Sequence, residues 1–290
     1  MQARTGTVGL PTAEHERHRP VTVVQPSRGW IALRLGDLWA YRELGYLLAW
    51  RDVKVRYAQT LLGALWAVIQ PLTMMVIFAL VFGRFAKLPS EGVPYTLFAL
   101  AALVPWTFFA SGLSGAAQSL VRNEQLVSKI YFPRLLLPIG AAGSFLLDLA
   151  IGTVLLFVLM PFYGFYPGIR TLTLPAIALL PLACALAVGI LFAALSVRYR
   201  DVAYVVPFLI QIWLFATPVA YSATLLPDEL QSVIGLNPMA GAVEGFRWAV
   251  LETGSFPSNT LLLSGASCVV LLLVALIYFR RTERHFADLI

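Results

Sequence analysis

The stretch LLGALWAVIQPLTMMVIFALVFG (61–83) contains no Asp, Glu, Lys or Arg. A helix needs about 20 consecutive apolar residues to cross the hydrocarbon of a bilayer, and this run is long enough. Residues 92–121, 171–197, 202–227 and 253–279 also lack all four charged types, and 135–169 is broken only by Asp148. The pattern predicts an all-α integral membrane protein with six spans, at about 61–83, 95–116, 135–160, 172–196, 202–222 and 259–279. The turn-rich stretch YGFYPG (163–168) separates the third span from the fourth.

Composition agrees. The 290 residues are 59% hydrophobic and 12% charged, whereas soluble domains carry roughly a quarter charged residues. The net charge of +6 is scattered between apolar runs. That excludes a nucleic-acid groove, which needs a basic face with stacking aromatics. Cys184 and Cys268 fall inside apolar runs with no CxxC and no nearby His, so they read as small buried residues. No cleavable signal peptide opens the chain, and residues 1–30 read as a polar, disordered cytoplasmic tail.

Orientation follows from Lys and Arg. With both termini cytoplasmic, seventeen of the 21 lie inside, and only Arg84, Lys87, Arg170 and Arg247 lie outside. The stretch 225–252 is too polar and broken to face lipid as a span. If it crossed, it would put Arg280, Arg281 and Arg284 outside. It reads instead as two re-entrant helices, about 229–236 and 239–252, dipping into the outer leaflet. Broken backbone at that depth is tolerated only where protein or a watery cavity covers it, so an outer gate is expected at Asn237, Pro238, Glu244 and Arg247. Glu244 and Arg247, at i and i+3, are placed to pair.

Ahead of the first span, residues 37–57 read as a helix lying on the membrane. Trp39, Tyr46, Trp50 and Tyr57 share one stripe, with charges beside it, which suits the headgroup layer. The loop 121–134 mixes charges with Leu126, Ile130, Tyr131 and Phe132 and ends at Pro133, a helix breaker. Such a loop is a docking element for a partner or a turn lying on the headgroups.

Chemistry-bearing motifs are missing from the sequence. There is no GxxxxGK followed by Ser or Thr, no HExxH and no DxD, so no P-loop is expected and an enzyme is disfavoured. Asp148 is the one acid inside a span. Intramembrane acids face a cavity or a partner helix. The residue reads as a helix–helix hydrogen bond or as the proton site of an ion-coupled secondary transporter.

Five segments then carry a resemblance. LLAWRDVKVRYAQTLLGALWAVIQPL (47–72), NEQLVSKIYFPRLLLPI (123–139), SVRYRDV (196–202), LNPMAGAVEGFRWAVL (236–251) and FRRTERHFADLI (279–290) together resemble the type-2 ABC exporter permeases of bacterial polysaccharide export. That family includes the O-antigen, capsule and teichoic-acid exporters. The resemblance implies a homodimer bound to two copies of a separate nucleotide-binding subunit, which carries the ATP and Mg; this chain would bind no cofactor or metal. It implies that 37–57 is an interface helix, involving Trp39, Tyr46, Trp50, Arg51, Asp52, Lys54, Arg56 and Tyr57. It implies that 121–134 is the coupling helix, with Asn123, Glu124, Gln125, Leu126, Lys129, Tyr131, Phe132, Pro133 and Arg134 facing the ATPase. Arg198, Arg200 and Asp201 would form a smaller contact.

The implied substrate is a polyprenyl-diphosphate-linked glycan, moved across the bacterial cytoplasmic membrane. Aromatic rings suit the apolar faces of sugars, so Trp106, Phe108, Phe109, Tyr204, Trp213 and Phe215 are candidates to line its path. A teichoic-acid or drug/lipid exporter on the same fold is the alternative within transport, and a membrane enzyme of glycan assembly the alternative outside it.

Overall fold

The computed structural model describes residues 35–58, 65–252 and 254–286. The expected tail at 1–30, the start of the first span at 61–64 and the last four residues of the 279–290 segment lie outside the described residues. Among the described residues all regular structure is helical.

Two helices precede the first span, α1 (Leu35–Ala40) and α2 (Arg42–Ala58). The single helix expected over 37–57 is therefore broken at Tyr41. The first span is α3 (Trp66–Phe78), which runs on as a π-helical stretch, Ala79–Phe85. The second is α4 (Tyr95–Arg122), and the short α5 (Glu124–Lys129) follows it. The third span is split into α6 (Leu136–Gly143) and α7 (Leu146–Leu159). The fourth is α8 (Leu174–Arg198). Then come α9 (Val202–Ala216), α10 (Asp228–Gly235), α11 (Pro238–Leu251) and α12 (Ser258–Thr282).

Five helical segments are long and apolar enough to cross a membrane: Trp66–Phe85, Tyr95–Arg122, Leu136–Tyr163, Ile169–Arg198 and Ser258–His285. The fifth expected span, 202–222, is shorter than predicted. Its helix, α9, has 15 residues, about 22 Å at 1.5 Å per residue against about 30 Å of hydrocarbon. The cause is local. Pro218 disfavours helical backbone in the residue before it, and Thr217 is extended, at φ −104° and ψ 142°.

The middle of the bundle is α4, packed against α3, α6, α7, α8, α9 and α11. Every residue from Leu97 to Trp106 is buried. Lipid tails are as apolar as Leu, so helices in a membrane associate through close packing at small residues. Gly112 meets Ala185, and a Cβ on Gly189 would lie 2.6 Å from the Cβ of Ala116. Small residues four apart thus face each other on α4 and α8. Gly189→Val is expected to push these helices apart and cost roughly 1–3 kcal/mol as overpacking. An unchanged melting temperature in detergent would contradict it.

The starts of α4, α8 and α12 lie at one end of the bundle, where α11 packs against all three: Arg247 reaches Phe98, and Gly245 and Gly241 approach Ile177 and Leu261. The other end has its own apolar cluster. It joins Leu48, Leu120, Val127, Phe132, Leu136, Ala194 and Phe279.

Candidate functional site

At the end where α4, α8 and α12 finish, α2 lies along α6, with Gly45 against Leu136 and Leu48 against Gly140. Arg51 donates to Asp52 and to Asn123 Oδ1, at 2.9 Å each, and Asn123 Nδ2 donates to the carbonyl of Ser119. One asparagine thus closes α4 and ties the loop to α2. Arg51, Arg122, Asn123, Glu124, Gln125 and Leu126 help line a hollow of about 410 Å³ between α2 and this loop.

The helix within the expected coupling segment 121–134 is only the six residues of α5, because α4 continues to Arg122. Outward residues of α5 and the turn after it include Glu124, Gln125, Ser128, Lys129, Ile130 and Tyr131. Leu126 is half-buried, and Arg134 turns inward to the carbonyls of Glu283 and Val127. Phe132 differs from expectation: it is 7% exposed, inside the apolar cluster, while Tyr131 is 72% exposed. A side chain that anchors its own loop cannot also be offered to a partner. Pro133 follows it, half-buried.

The two neighbours should therefore behave differently. Tyr131→Ala is expected to leave stability within about 0.5 kcal/mol, as exposed substitutions do. Phe132→Ala is expected to cost roughly 3 kcal/mol through the cavity it leaves. Thermal melting of both variants checks this, and equal melting temperatures would contradict it. Arg198, Arg200 and Asp201 are exposed at the same end.

Along α1 and α2, Trp39, Tyr46, Trp50, Arg51 and Lys54 are exposed, with Lys54 over the Trp50 ring at 5.8 Å. Tyr57 leaves the expected stripe. Its hydroxyl donates to Asp148, and Arg56 donates to Asp148 Oδ2 at 2.7 Å and to Ser144 Oγ at 2.8 Å. Burial, then the bond to Asp148, pushes the Tyr57 phenol up to about 12, so it stays a donor at neutral pH. Ala142 faces Gly112 and Gly152 faces Val104, which sets Asp148 level with the middle of α4. The intramembrane acid therefore belongs to an ion pair, and its partner comes from the helix before the first span.

At the opposite end, α10 and α11 match the expected pair of short helices to within a residue. Three side chains hold this end together: two at the turn between the two helices, and one at the stretch that follows α9. Asn237 Oδ1 accepts from the Met239 amide and from Trp213 Nε1, while its Nδ2 donates to the carbonyl of Ala216 and to Thr217 Oγ1. It caps the start of α11 and the end of α9 together. Ser264, on α12, donates to the carbonyls of Gly235 and Asn237 and accepts from the Gly241 amide. Pro238 sits at the first turn of α11, where a missing N–H costs nothing.

Arg247 is the third. The expected pair with Glu244 is not among the ion pairs of the described residues. Arg247 is 5% exposed, and its guanidinium donates to the carbonyls of Pro218 (2.7 Å), Val219 (2.6 Å), Tyr221 (3.2 Å) and Phe98 (3.3 Å). It stacks 3.6 Å from the Phe98 ring. Sequence spacing suggested a charge partner one turn away; the acceptors are backbone groups exposed by the unwinding after α9. The Pro218 that unwinds it was the available signal.

The aromatic candidates divide. Phe108 and Phe109 are at most 1% exposed and pack in the core, so they line nothing. Trp106 is also buried, but its edge reaches a groove between α4 and α9. Trp213 is half-buried against Phe109, and Tyr204 and Phe215 are exposed.

The ABC-2 type transporter family model matches residues 43–251. The chain belongs to that family. As an ABC-2 type transporter chain with five long apolar helices, it is a multi-pass membrane protein. It is similar to the O-antigen export system permease protein RfbA of Myxococcus xanthus, 29% identical over 254 residues, covering 87% of this chain and 97% of the relative. A protein of the same name from Klebsiella pneumoniae is 28% identical, covering 86% of this chain and 97% of its own length. The polysialic acid transport protein KpsM of Escherichia coli is 24% identical over 69% of this chain and 78% of its own.

Proposed function

We propose that this chain is the transmembrane subunit of an ATP-driven exporter that moves a polyprenyl-diphosphate-linked polysaccharide, O-antigen-like or capsule-like, across the bacterial cytoplasmic membrane. The observation that carries the reading is a similarity running over 97% of the length of two relatives named O-antigen export permeases. Similarity on that scale includes both ends of the bundle, where an exporter meets its ATPase and releases its cargo. Both termini are cytoplasmic in this reading, which keeps Lys and Arg inside.

Two copies of the chain work with two copies of a separate ATPase subunit. The exposed Glu124, Gln125, Lys129 and Tyr131, together with Arg198, Arg200 and Asp201, are the surface offered to it. The α1–α2 segment transmits its movement. The helices α10 and α11 form the outer gate, stapled by Asn237, Ser264 and Arg247. ATP and Mg belong to the partner.

The test is co-purification. The tagged chain, extracted in mild detergent, should bring an ATPase subunit at one-to-one stoichiometry, and hydrolysis should respond to polyprenyl-linked glycan. A chain that emerges alone, from membranes that export no glycan, would refute the reading.

A further inference from the structure

The connection between α7 and α8 passes beside α11. It contains two short 3-10 turns, Met160–Tyr163 and Ile169–Thr173. Large apolar side chains point outward from it. Phe162 and Ile169 are 81% and 82% exposed, and Tyr163, Tyr166 and Leu172 are exposed as well. The polar groups of the connection are turned to backbone. Thr171 and Thr173 donate to the carbonyls of Gly168 and Arg170. Arg170 is the one charged residue between Asp148 and Arg198. It donates to the carbonyl of Glu252 and lies 5.0 Å from the Trp248 ring, so it links the connection to the end of α11.

An exposed apolar patch of this kind marks a contact surface, and its neighbours say with what. On α7, Val154 and Val158 are exposed four residues apart, and Phe162 follows four further on. On α8, Ala176 and Leu179 are exposed, and Leu172 precedes Ala176 by four. At helical spacing each set makes one stripe. The outward rim of the connection therefore continues the apolar faces of two segments long enough to cross a membrane. A site for a soluble partner has a polar rim, whereas this patch runs on into the faces of the spans.

Length sets the depth. The segment Leu136–Tyr163 has 28 residues, about 42 Å at 1.5 Å per residue. Hydrocarbon takes about 30 Å, and with the headgroup layers the bilayer is about 40–45 Å thick. A segment of that length starts in one headgroup layer and ends in the other. Irregular backbone facing lipid is not tolerated in the hydrocarbon itself. Tyrosines, with an apolar ring and a hydroxyl tip, concentrate at the boundary.

We propose that the α7–α8 connection is a lipid-docking surface, with Phe162, Tyr166, Ile169 and Leu172 seated in the phospholipid headgroup boundary at that end of the bundle. Arg170 ties this seat to α11, so the seat also sets the height of that helix against the bilayer.

The test uses the full chain in vesicles of phosphatidylethanolamine and phosphatidylglycerol. Single cysteines Y166C, I169C and L172C each carry a nitroxide, at exposed sites where substitution changes stability little. Collisions with oxygen, which concentrates in lipid, are compared with collisions with a water-soluble nickel chelate. V269C, on the exposed face of α12, is the lipid reference, and K87C, in the exposed connection between the first two spans, is the aqueous one. The native Cys184 and Cys268 are buried. The oxygen-to-nickel ratio at all three positions should exceed that of K87C several-fold and approach that of V269C. A ratio equal to that of K87C would overturn the proposal by placing the connection in water. Protection from both reagents would overturn it too, by showing a protein seated there, a second copy of this chain included.

Discussion

Arg247→Leu is expected to abolish export and to destabilise the protein by on the order of 4 kcal/mol or more. The reason lies in the backbone carbonyls of residues 217–222, just after α9. The carbonyl of Thr217 accepts from the Val219 amide, that of Ala220 from the Tyr95 hydroxyl, and that of Ser222 from the Leu225 amide. The remaining three, from Pro218, Val219 and Tyr221, accept only from Arg247 among the described residues. Leucine fills much of the volume and bonds none of them. Each buried carbonyl left bare costs roughly 1–3 kcal/mol, and no water is at hand within a packed bundle.

Lysine keeps the charge but not the planar fork that reaches several acceptors at once, so Arg247→Lys should fall between leucine and wild type. Melting in detergent and export in cells are the two readouts. Wild-type melting by the leucine variant would mean that the carbonyls find other donors and that Arg247 is not the staple. The segment it holds joins α9 to the short helices α10 and α11, so a bundle that melts normally but fails to export would move its role from stability to gating.

The five long apolar helices were legible because their runs carry no charge, or in one case Asp148 alone, over the length a bilayer requires. The pair of short helices α10 and α11 was legible for the opposite reason: 225–252 is too polar and broken to form one lipid-facing span. What sequence could not supply was the partner of each isolated polar residue. Asp148 and Arg56 are 92 positions apart, and no periodicity connects them. Arg247 looked like half of an i, i+3 ion pair, because the sequence displays side chains and hides bare carbonyls. Phe132 and Tyr131 are adjacent in an amphipathic loop, and only the packing of Val127 and Phe279 decides which turns inward. Among the aromatics, Phe108 and Phe109 fell to the core because α4 is the one span surrounded on nearly every side.

Arg56→Ala should damage the protein more than losing both charges at once. Arg56 and Asp148 pair at 2.7 Å with about a quarter of each side chain exposed, and the carboxylate lies level with the middle of α4. Removing the cation leaves a part-buried anion held by Tyr57, a loss on the order of 2 kcal/mol once the partial exposure is allowed for. Arg56→Met combined with Asp148→Leu removes both desolvation costs and refills the volume, so the double variant should melt closer to wild type than Arg56→Ala does. A four-member cycle of melting temperatures measures this coupling, and strictly additive losses would show that the pair contributes nothing as a pair.

Asp148→Asn separates structure from proton chemistry. The amide oxygen still accepts from Arg56 or Tyr57, so substantial export is expected. A well-folded Asn variant with no export at all would instead make Asp148 a titrating site and revive ion coupling. The cycle also bears on how α2 communicates with the bundle. Arg56 and Tyr57 are a part-buried polar grip of α2 on the third span. A double variant that melts normally yet couples ATP hydrolysis poorly to export would show that this grip carries motion rather than stability.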